Sequence, residues 1–153
     1  MPTVTASLNK PQSRLLIKKP YNNFIGAGTM RKYAILENPL KCNRTDSIYK
    51  IMLHQTKTDV FLYMYCSPDA VLSSFDACYH DVQSVYETWN DEIDERGWID
   101  IADPLPDCQC DAFLPIRVKG RNTSIPQWGQ FEIFKNGQWV DCFLTANGCL
   151  KNT

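Results

Sequence analysis

The run from residue 60 to residue 65 constrains the fold more than any other part of the sequence. Both of its alternating faces are apolar or aromatic: Val60, Leu62 and Met64 on one, and Phe61, Tyr63 and Tyr65 on the other. A strand with one face in water alternates apolar with polar residues, so this pattern indicates an inner strand that is buried on both faces. The sequence therefore predicts a β-sheet with this run near its centre.

Further strands are predicted before and after this run. Residues 47–54 are rich in β-forming residues and are joined to 59–65 by a short polar loop, which is typical of a hairpin. In 47–54 we expect Tyr49, Ile51 and Leu53 to form the core face. Shorter strands are predicted at 33–36, where Pro39 soon follows, at 98–101 and at 113–119. Residues 128–140 predict a second hairpin, because Asn136-Gly137 accommodates the positive φ angles of a two-residue turn.

One amphipathic helix is predicted between the two groups of strands. Its apolar residues recur at helical spacing: Val82, Val85, Tyr86, Trp89 and Ile93. Asp81 is the expected N-cap and Gly97 the expected C-cap. The predicted order is β-β-β-α-β-β-β, and the fold class is α+β, with an antiparallel sheet of about five or six strands packed on one main amphipathic helix.

Length and charge predict one folded domain with a basic extension before it. A chain of 153 residues with 44% hydrophobic residues can bury a core of its own. Residues 1–36 contain six basic residues and no acid, and Met30 precedes the first apolar run. We therefore predict a flexible basic N-terminal extension over 1–29 and a single α+β domain over 30–153. No apolar stretch approaches the roughly 20 residues that span a bilayer, so no membrane association is predicted.

The cysteines indicate a compartment rather than a chemistry. There are seven of them, an odd number, and no secretory signal is recognisable. This pattern favours reduced thiols over a disulfide framework, and it predicts a cytoplasmic protein.

Acidic residues dominate the segment 87–111, where nine carboxylates stand against one base, Arg96. Such a surface attracts a basic protein, because complementary fields speed the encounter and penalise wrong partners. A solvated outer face is the commoner origin of a charge run. A divalent-cation site is not indicated, because no EF-hand spacing is present. The predicted partner-binding residues are Asp91, Glu92, Asp94, Glu95, Trp98, Asp100 and Asp103.

Chemical motifs are weak elsewhere, and neither a cofactor nor a metal is predicted. The rival hypothesis is a metal-dependent or thiol enzyme that uses Cys78 with His80 and Cys108 with Cys110. Zinc sites usually show paired ligands at both ends of the motif, and a Cys and a His at i and i+2 point apart on a helix. We therefore favour a protein without enzymatic activity.

A small basic group on one predicted strand raises the question of nucleic acid. Arg117, Lys119 and Arg121 lie along or just beyond that strand, and Trp128 follows. Three cations are few for phosphate binding, and a pI near 6.1 argues against a general nucleic-acid binder. No nucleic-acid partner is predicted.

Three stretches carry a resemblance: 33–40 (YAILENPL), 90–98 (NDEIDERGW) and 116–120 (IRVKG). Across roughly residues 30–142 the chain resembles small uncharacterised proteins of anaerobic bacteria. In size, acidity and α+β layout it is also similar to immunity proteins of bacterial toxin systems, which bind and block a cognate toxin. That likeness of type implies a basic protein partner, such as a toxin, and it transfers no residue role.

Overall fold

The computed structural model describes residues 13–15, 29–123 and 125–151. The predicted extension over 1–29 lies outside these residues, except for 13–15 and 29. In chain order the elements are β1 (Ser13–Leu15), β2 (Met30–Lys41), β3 (Ser47–Gln55), β4 (Val60–Tyr65), β5 (Phe75–Tyr79), α1 (Val82–Trp89), β6 (Ile99–Ile101), β7 (Ile116–Val118), β8 (Phe131–Lys135) and β9 (Gln138–Cys142).

In the described part of the chain, the strands form two antiparallel sheets. The large sheet has the order β1-β5-β4-β3-β2-β6, and the small sheet has the order β7-β8-β9. Strand β4 lies inside the large sheet, and its Leu62 and Met64 are completely buried. The prediction of a central strand buried on both faces is confirmed. Over the described residues the fold is mostly β, with two sheets and one short helix, so the predicted α+β class holds loosely, while the prediction of one sheet packed on a main amphipathic helix is wrong.

Helix α1 covers one face of the large sheet, which we call the first face, and the opposite face is the second face. Val85 and Trp89 are fully buried there, and the Trp89 indole donates a hydrogen bond to the Tyr79 hydroxyl (2.9 Å). Asp81 is the N-cap as predicted, because its carboxylate accepts hydrogen bonds from the Ser84 backbone N–H (2.8 Å) and hydroxyl (2.7 Å). These bonds hold the pKa of Asp81 below its usual value.

The helix ends at Trp89, well before the predicted Gly97 cap. Residues 90–98 form turns instead, and Ile93 makes a β-bridge with Leu36. Gly97 has a φ of +68°, a turn conformation that glycine favours. Carboxylates clustered at the C-terminal end of a helix oppose its macrodipole, so the acidic residues favour this early end. Among the described residues no helix has the length and apolarity needed to cross a membrane.

The second face of the large sheet is also buried, and the sequence did not indicate which segment covers it. Ile51 and Leu53 lie in the core as predicted, but Lys50 and His54 on the opposite face of β3 are buried as well. The polypeptide after β6 crosses this face, and Phe113 packs against Tyr33 and Tyr65.

The structure contains a strand that was not predicted, β5, and β2 extends beyond both ends of the strand predicted at 33–36. Pro39 does not end β2, because the register shifts between Ile35 and Leu40 and the pairing with β3 then resumes. A β-bulge of this kind accommodates a proline inside a strand.

Gly148 joins the end of the described chain to the loop before β5. Its carbonyl accepts hydrogen bonds from the N–H groups of Val71 (2.8 Å) and Leu72 (3.2 Å). Its φ is +80°, and a Cβ there would lie 2.2 Å from the Leu72 carbonyl oxygen. Only glycine fits this position without rearrangement. Leu72 in turn packs with Ala112 and Ile116, which connects the small sheet to the large one.

The predicted hairpin of the small sheet is confirmed. Asn136 and Gly137 connect β8 to β9 with φ angles of 53° and 78°, as a two-residue turn with two positive φ angles requires.

Candidate functional site

The predicted partner-binding residues lie at one edge of the large sheet. Strand β6 is the outermost strand on that side, and it carries Asp100, while Asp103 follows it. The residues from 91 to 98 lie in the turns that precede β6, because helix α1 ends at Trp89 and not at the predicted Gly97. We call the side chains of Asp91, Glu92, Glu95, Asp100 and Asp103 the acidic edge.

Backbone hydrogen bonds fix these turns against strand β2. The Glu37 N–H donates to the Glu92 carbonyl (2.9 Å), and the Asp94 N–H donates to the Ile35 carbonyl (2.8 Å). Farther along β2, β6 continues the pairing in antiparallel register. The acidic edge is therefore carried by a backbone that the sheet holds in place.

Asp94 and Arg96 form an ion pair within the turn. The Arg96 guanidinium donates to the Asp94 carboxylate through Nε (3.0 Å) and Nη2 (2.5 Å). Hydrogen bonds from Arg96 hold the pKa of Asp94 below its ordinary value. Asp94 therefore binds its own chain, and we leave it out of the acidic edge.

Trp98 contacts residues of its own chain, one in the turn and one on helix α1, rather than projecting freely. Its indole N–H donates to the Asn90 side-chain oxygen (2.8 Å), and its ring packs against Tyr86 at 5.7 Å between centroids. The side chain is half-buried, so one part is fixed and another reaches the surface.

The carboxylates of the acidic edge differ in their partners. Asp100 lies 3.4 Å from the Lys32 ammonium and is 86% exposed, which makes this a weak surface pair. Within the described part of the chain, no ion pair involves the other four carboxylates. Glu95 and Asp103 nevertheless interact electrostatically with the nearby guanidinium groups of Arg96 and Arg31, respectively.

Buried Arg31 on β2 anchors the polypeptide that follows the acidic edge. Its guanidinium donates to the carbonyls of Ala102 (2.8 Å), Cys110 (3.0 Å) and Ala112 (2.9 Å). Burial lowers the pKa of Arg31. Hydrogen bonds to backbone carbonyls compensate part of the cost of burying a charge, so Arg31 fixes the position of this loop.

Two more ionisable groups lie on the buried second face. Burial lowers the pKa of His54 to about 4, so its ring is neutral at pH 7, and it contacts the Tyr63 hydroxyl at 3.4 Å. Lys50 donates to the Pro68 carbonyl (2.9 Å), and its ammonium lies 4.2 Å from the Phe113 ring centroid. A carbonyl and an aromatic face both stabilise a cation there.

The structure does not assemble the site of the rival enzyme hypothesis. Cys78 lies in strand β5, and His80 follows that strand and is exposed. Burial raises the pKa values of Cys108 and Cys110 to about 11, which keeps both thiols protonated near neutral pH. Among the described residues, no group of three or more His, Cys, Asp or Glu is placed to hold a metal ion.

The basic residues of β7 and its end are paired with acids across the small sheet. Arg117 donates to Glu132 (2.7 Å), and Lys119 lies 2.8 Å from Asp141. The Arg117 guanidinium also stacks 3.8 Å from the Trp139 ring centroid. These contacts bind Arg117 and Lys119 within the fold.

Sequence reasoning missed the exposure of several large apolar side chains in the second half of the chain. Among the described residues, the exposed large apolar side chains all belong to this half: Leu105, Leu114, Ile125, Trp128, Phe134, Val140, Phe143 and Leu150. Phe143 also lines a small cavity of about 190 Å³ between the Lys119–Asp141 pair and Lys151. An alternating pattern on β8 and β9 was visible in the sequence, but it does not say which face is left uncovered.

Comparison with other proteins adds no assignment to this geometry. No family model matches the sequence, and neither the curated proteins nor the solved structures gave a significant match.

Proposed function

We propose that this chain is a protein-binding domain whose acidic edge recognises a basic protein partner. The observation that supports this proposal is the attachment of the acidic turns to strand β2. The bonds from Glu37 to Glu92 and from Asp94 to Ile35 give the carboxylates a fixed backbone. A fixed backbone reduces the conformational entropy lost on binding, so more of the electrostatic attraction contributes to affinity.

The distribution of charge at this edge fits a cationic partner. Arg96 pairs with Asp94 and also interacts electrostatically with Glu95, and Lys32 pairs with Asp100. The remaining carboxylates of the acidic edge make no ion pair within the described part of the chain. A partner that presents several Lys or Arg side chains would gain attraction here without breaking an internal ion pair.

Trp98 supplies the apolar component of the proposed interface. Its ring is half-buried against Tyr86 and oriented by the bond to Asn90. Tryptophans that are held in one orientation and partly exposed are frequent energetic centres of protein interfaces.

A toxin-neutralising immunity protein is the specific form of this proposal that we favour, since such a protein covers a basic toxin with an acidic surface. The thiol-enzyme alternative has less support. Burial raises the pKa values of Cys108 and Cys110, so these thiols stay protonated and are poor nucleophiles. The metal-dependent form of this alternative is tested by direct metal analysis of protein purified without added metal.

The test is capture of proteins from a lysate of the source cells with the full chain as bait. Proteins are bound at about 50 mM salt and released at about 500 mM, a range over which exposed charges become screened. The test variant carries Asp91→Asn and Glu95→Gln. The control variant, Asp59→Asn with Asp69→Asn, loses the same charge elsewhere on the surface.

We expect one basic protein to bind the wild type and the control, and to bind the test variant roughly threefold to tenfold more weakly. Equal capture by both variants, or no salt-sensitive partner, would contradict the proposal. If the captured protein is a toxin, the purified chain should inhibit it, and failure to inhibit would reject the immunity form while leaving the binding surface established.

A further inference from the structure

Strand β6 forms an open edge of the large sheet. It is the last strand in the sheet order and pairs with β2 on its inner side. In the described part of the chain, no residue makes a backbone hydrogen bond to its outer side. An open edge presents N–H and C=O groups with which a segment of another chain can pair as an added strand.

The register shows which backbone groups of β6 point outward. On β2, the Ile35 carbonyl accepts a hydrogen bond from the Asp94 N–H (2.8 Å), so residue 35 directs its backbone groups toward this edge. Backbone groups alternate in direction along a strand, so positions 33 and 31 also point toward β6. Their register partners, Ile99 and Ile101, therefore bond within the sheet. Asp100, between these two, directs its N–H and C=O away from the sheet.

The side chains of β6 alternate between the two faces of the sheet. Asp100 lies on the first face opposite Lys32, with which it forms the weak surface pair, and its side chain is 86% exposed. Ile99 and Ile101 lie on the second face, where Ile101 packs against the buried cluster that contains Tyr63. Both isoleucines are only half-buried. The edge thus offers a carboxylate on one face and partly exposed apolar side chains on the other.

The charge at this edge indicates which kind of segment fits it. Two β6 strands from two copies of the chain, paired in full antiparallel register, would place their Asp100 carboxylates directly opposite each other, which is unfavourable. A Lys or Arg in that position would instead lie beside an exposed carboxylate. Trp98 lies two residues earlier and on the same face, because its ring packs against Tyr86 of helix α1. The face of this half-buried ring offers a second cation a favourable contact.

We propose that the basic partner adds an extended segment to β6 as an antiparallel strand, in which Lys or Arg alternates with apolar residues. A basic residue directly opposite Asp100 would exchange both backbone hydrogen bonds with it and place its cation beside the carboxylate. The apolar residues on either side would lie against Ile99 and Ile101. A second basic residue would lie opposite Trp98. This inference rests on the proposed function, and it specifies the chemistry and the conformation of the partner.

The test measures binding of a blocked peptide, Thr-Val-Lys-Val-Arg-Val-Thr, to the full chain by calorimetry and by NMR of the backbone amides. The test peptide is N-methylated on its Lys and Arg, whose N–H groups would face β6. The matched control is N-methylated on two of its valines, whose N–H groups would point away from β6. All three peptides have the same side chains and the same charge, so only the position of the lost donors differs.

We expect the parent peptide and the valine-methylated control to bind with similar Kd, and the Lys- and Arg-methylated peptide to bind at least about tenfold more weakly. Amide shifts should concentrate at residues 98–102, and binding should weaken when salt is raised from about 50 mM to about 500 mM. Equal binding of the two methylated peptides, shifts elsewhere, or no binding at about 1 mM parent peptide would overturn the proposal.

Two variants of one residue separate backbone pairing from charge. Asp100→Asn keeps the outward N–H and should weaken binding of the parent peptide roughly threefold to tenfold. Asp100→Pro also removes that N–H, which makes no bond within the sheet, and should abolish binding. Equal weakening by both variants would contradict strand addition. The methylated peptides need only the wild type, so a variant that fails to fold does not obscure the result.

Failure of this inference is distinguishable from failure of the proposed function. If methylation has no effect while a basic protein from the lysate still depends on Asp91 and Glu95, the acidic edge binds its partner without strand addition. If the methylated peptides differ as expected while the lysate yields no salt-sensitive partner, strand addition is supported and the proposed function fails on its own test.

Discussion

On strand β4 of the large sheet, Leu62 and Met64 are completely buried, whereas Phe134 on β8 and Val140 on β9 of the small sheet are 38% and 39% exposed. The large sheet has a cover on each face: helix α1 on one, and the polypeptide after β6 on the other. The small sheet packs against the rest of the molecule through Ile116, while β8 and β9 keep exposed apolar side chains. The difference shows that stability is concentrated in the large sheet, while the small sheet supplies exposed surface.

The difference in stability between the two sheets is tested most directly by removing a buried side chain from the large sheet. Leu62→Ala should lower the free energy of unfolding by about 3 to 4 kcal/mol, because it creates a cavity where the sheet is covered on both sides. Val140→Ala on β9 should lower it by less than about 1 kcal/mol. Denaturant unfolding of both variants checks this, and equal losses would contradict the assignment of stability to the large sheet.

A second experiment removes the attachment of the second cover. Arg31→Met keeps much of the side-chain volume but leaves the carbonyls of Ala102, Cys110 and Ala112 without this donor. We expect a loss of about 2 to 3 kcal/mol and faster amide exchange in residues 102–113. Arg31→Lys keeps the charge but not the forked geometry, so its loss of unfolding free energy should be smaller than that of Arg31→Met but greater than zero. Unchanged exchange in that segment would show that the aromatic contacts alone hold it.

Acid should weaken the large sheet through His54. Its pKa is about 4 in the folded protein and near 6.5 when unfolded, so the unfolded chain binds the extra proton between these values. Stability from this neutral histidine is complete above pH 6.5 and falls as the pH drops, by about 2 kcal/mol between pH 7 and pH 5. His54→Gln should reduce this slope, whereas His80→Gln, at an exposed position, should not. Parallel slopes for all three proteins would exclude His54 as the cause.

The smallest effect should come from the surface of the second half of the chain. Trp128 is 62% exposed, and its ring lies 5.6 Å from the Arg121 guanidinium. Trp128→Ala should change the free energy of unfolding by less than about 0.5 kcal/mol, because little area is uncovered. A loss above about 2 kcal/mol in thermal unfolding would mean that this surface is part of a core.

The features that could be predicted from sequence are those set by short-range patterns. The apolar run of β4 and the Asn136-Gly137 turn depend on neighbouring residues only, so pattern and turn chemistry were sufficient. The strand from Phe75 to Tyr79 also had a local signal, an alternation in which Asp76 and Cys78 stand between its apolar residues, and the prediction missed it.

The remaining features depend on contacts between distant residues. Ile93 continues the helical spacing of Trp89, yet its bridge to Leu36 on β2 outweighs that preference. Burial of Lys50 likewise depends on Phe113, which comes from a segment far along the chain. No local pattern reports such a partner. In the candidate site, the acidic residues were identified from sequence, but the pairing of Asp94 with Arg96 was not.

The partners of Arg31 have a consequence for how the chain is made. The carbonyls that its guanidinium binds belong to residues 71 to 81 positions later. Ribosomes add about 5 to 20 residues per second, so these partners are synthesised roughly 4 to 16 s after Arg31. During that interval Met52 and Tyr63 have no cover on the second face of the sheet. The nascent chain therefore passes through a stage in which one side of its sheet is open to chaperones and to other nascent chains.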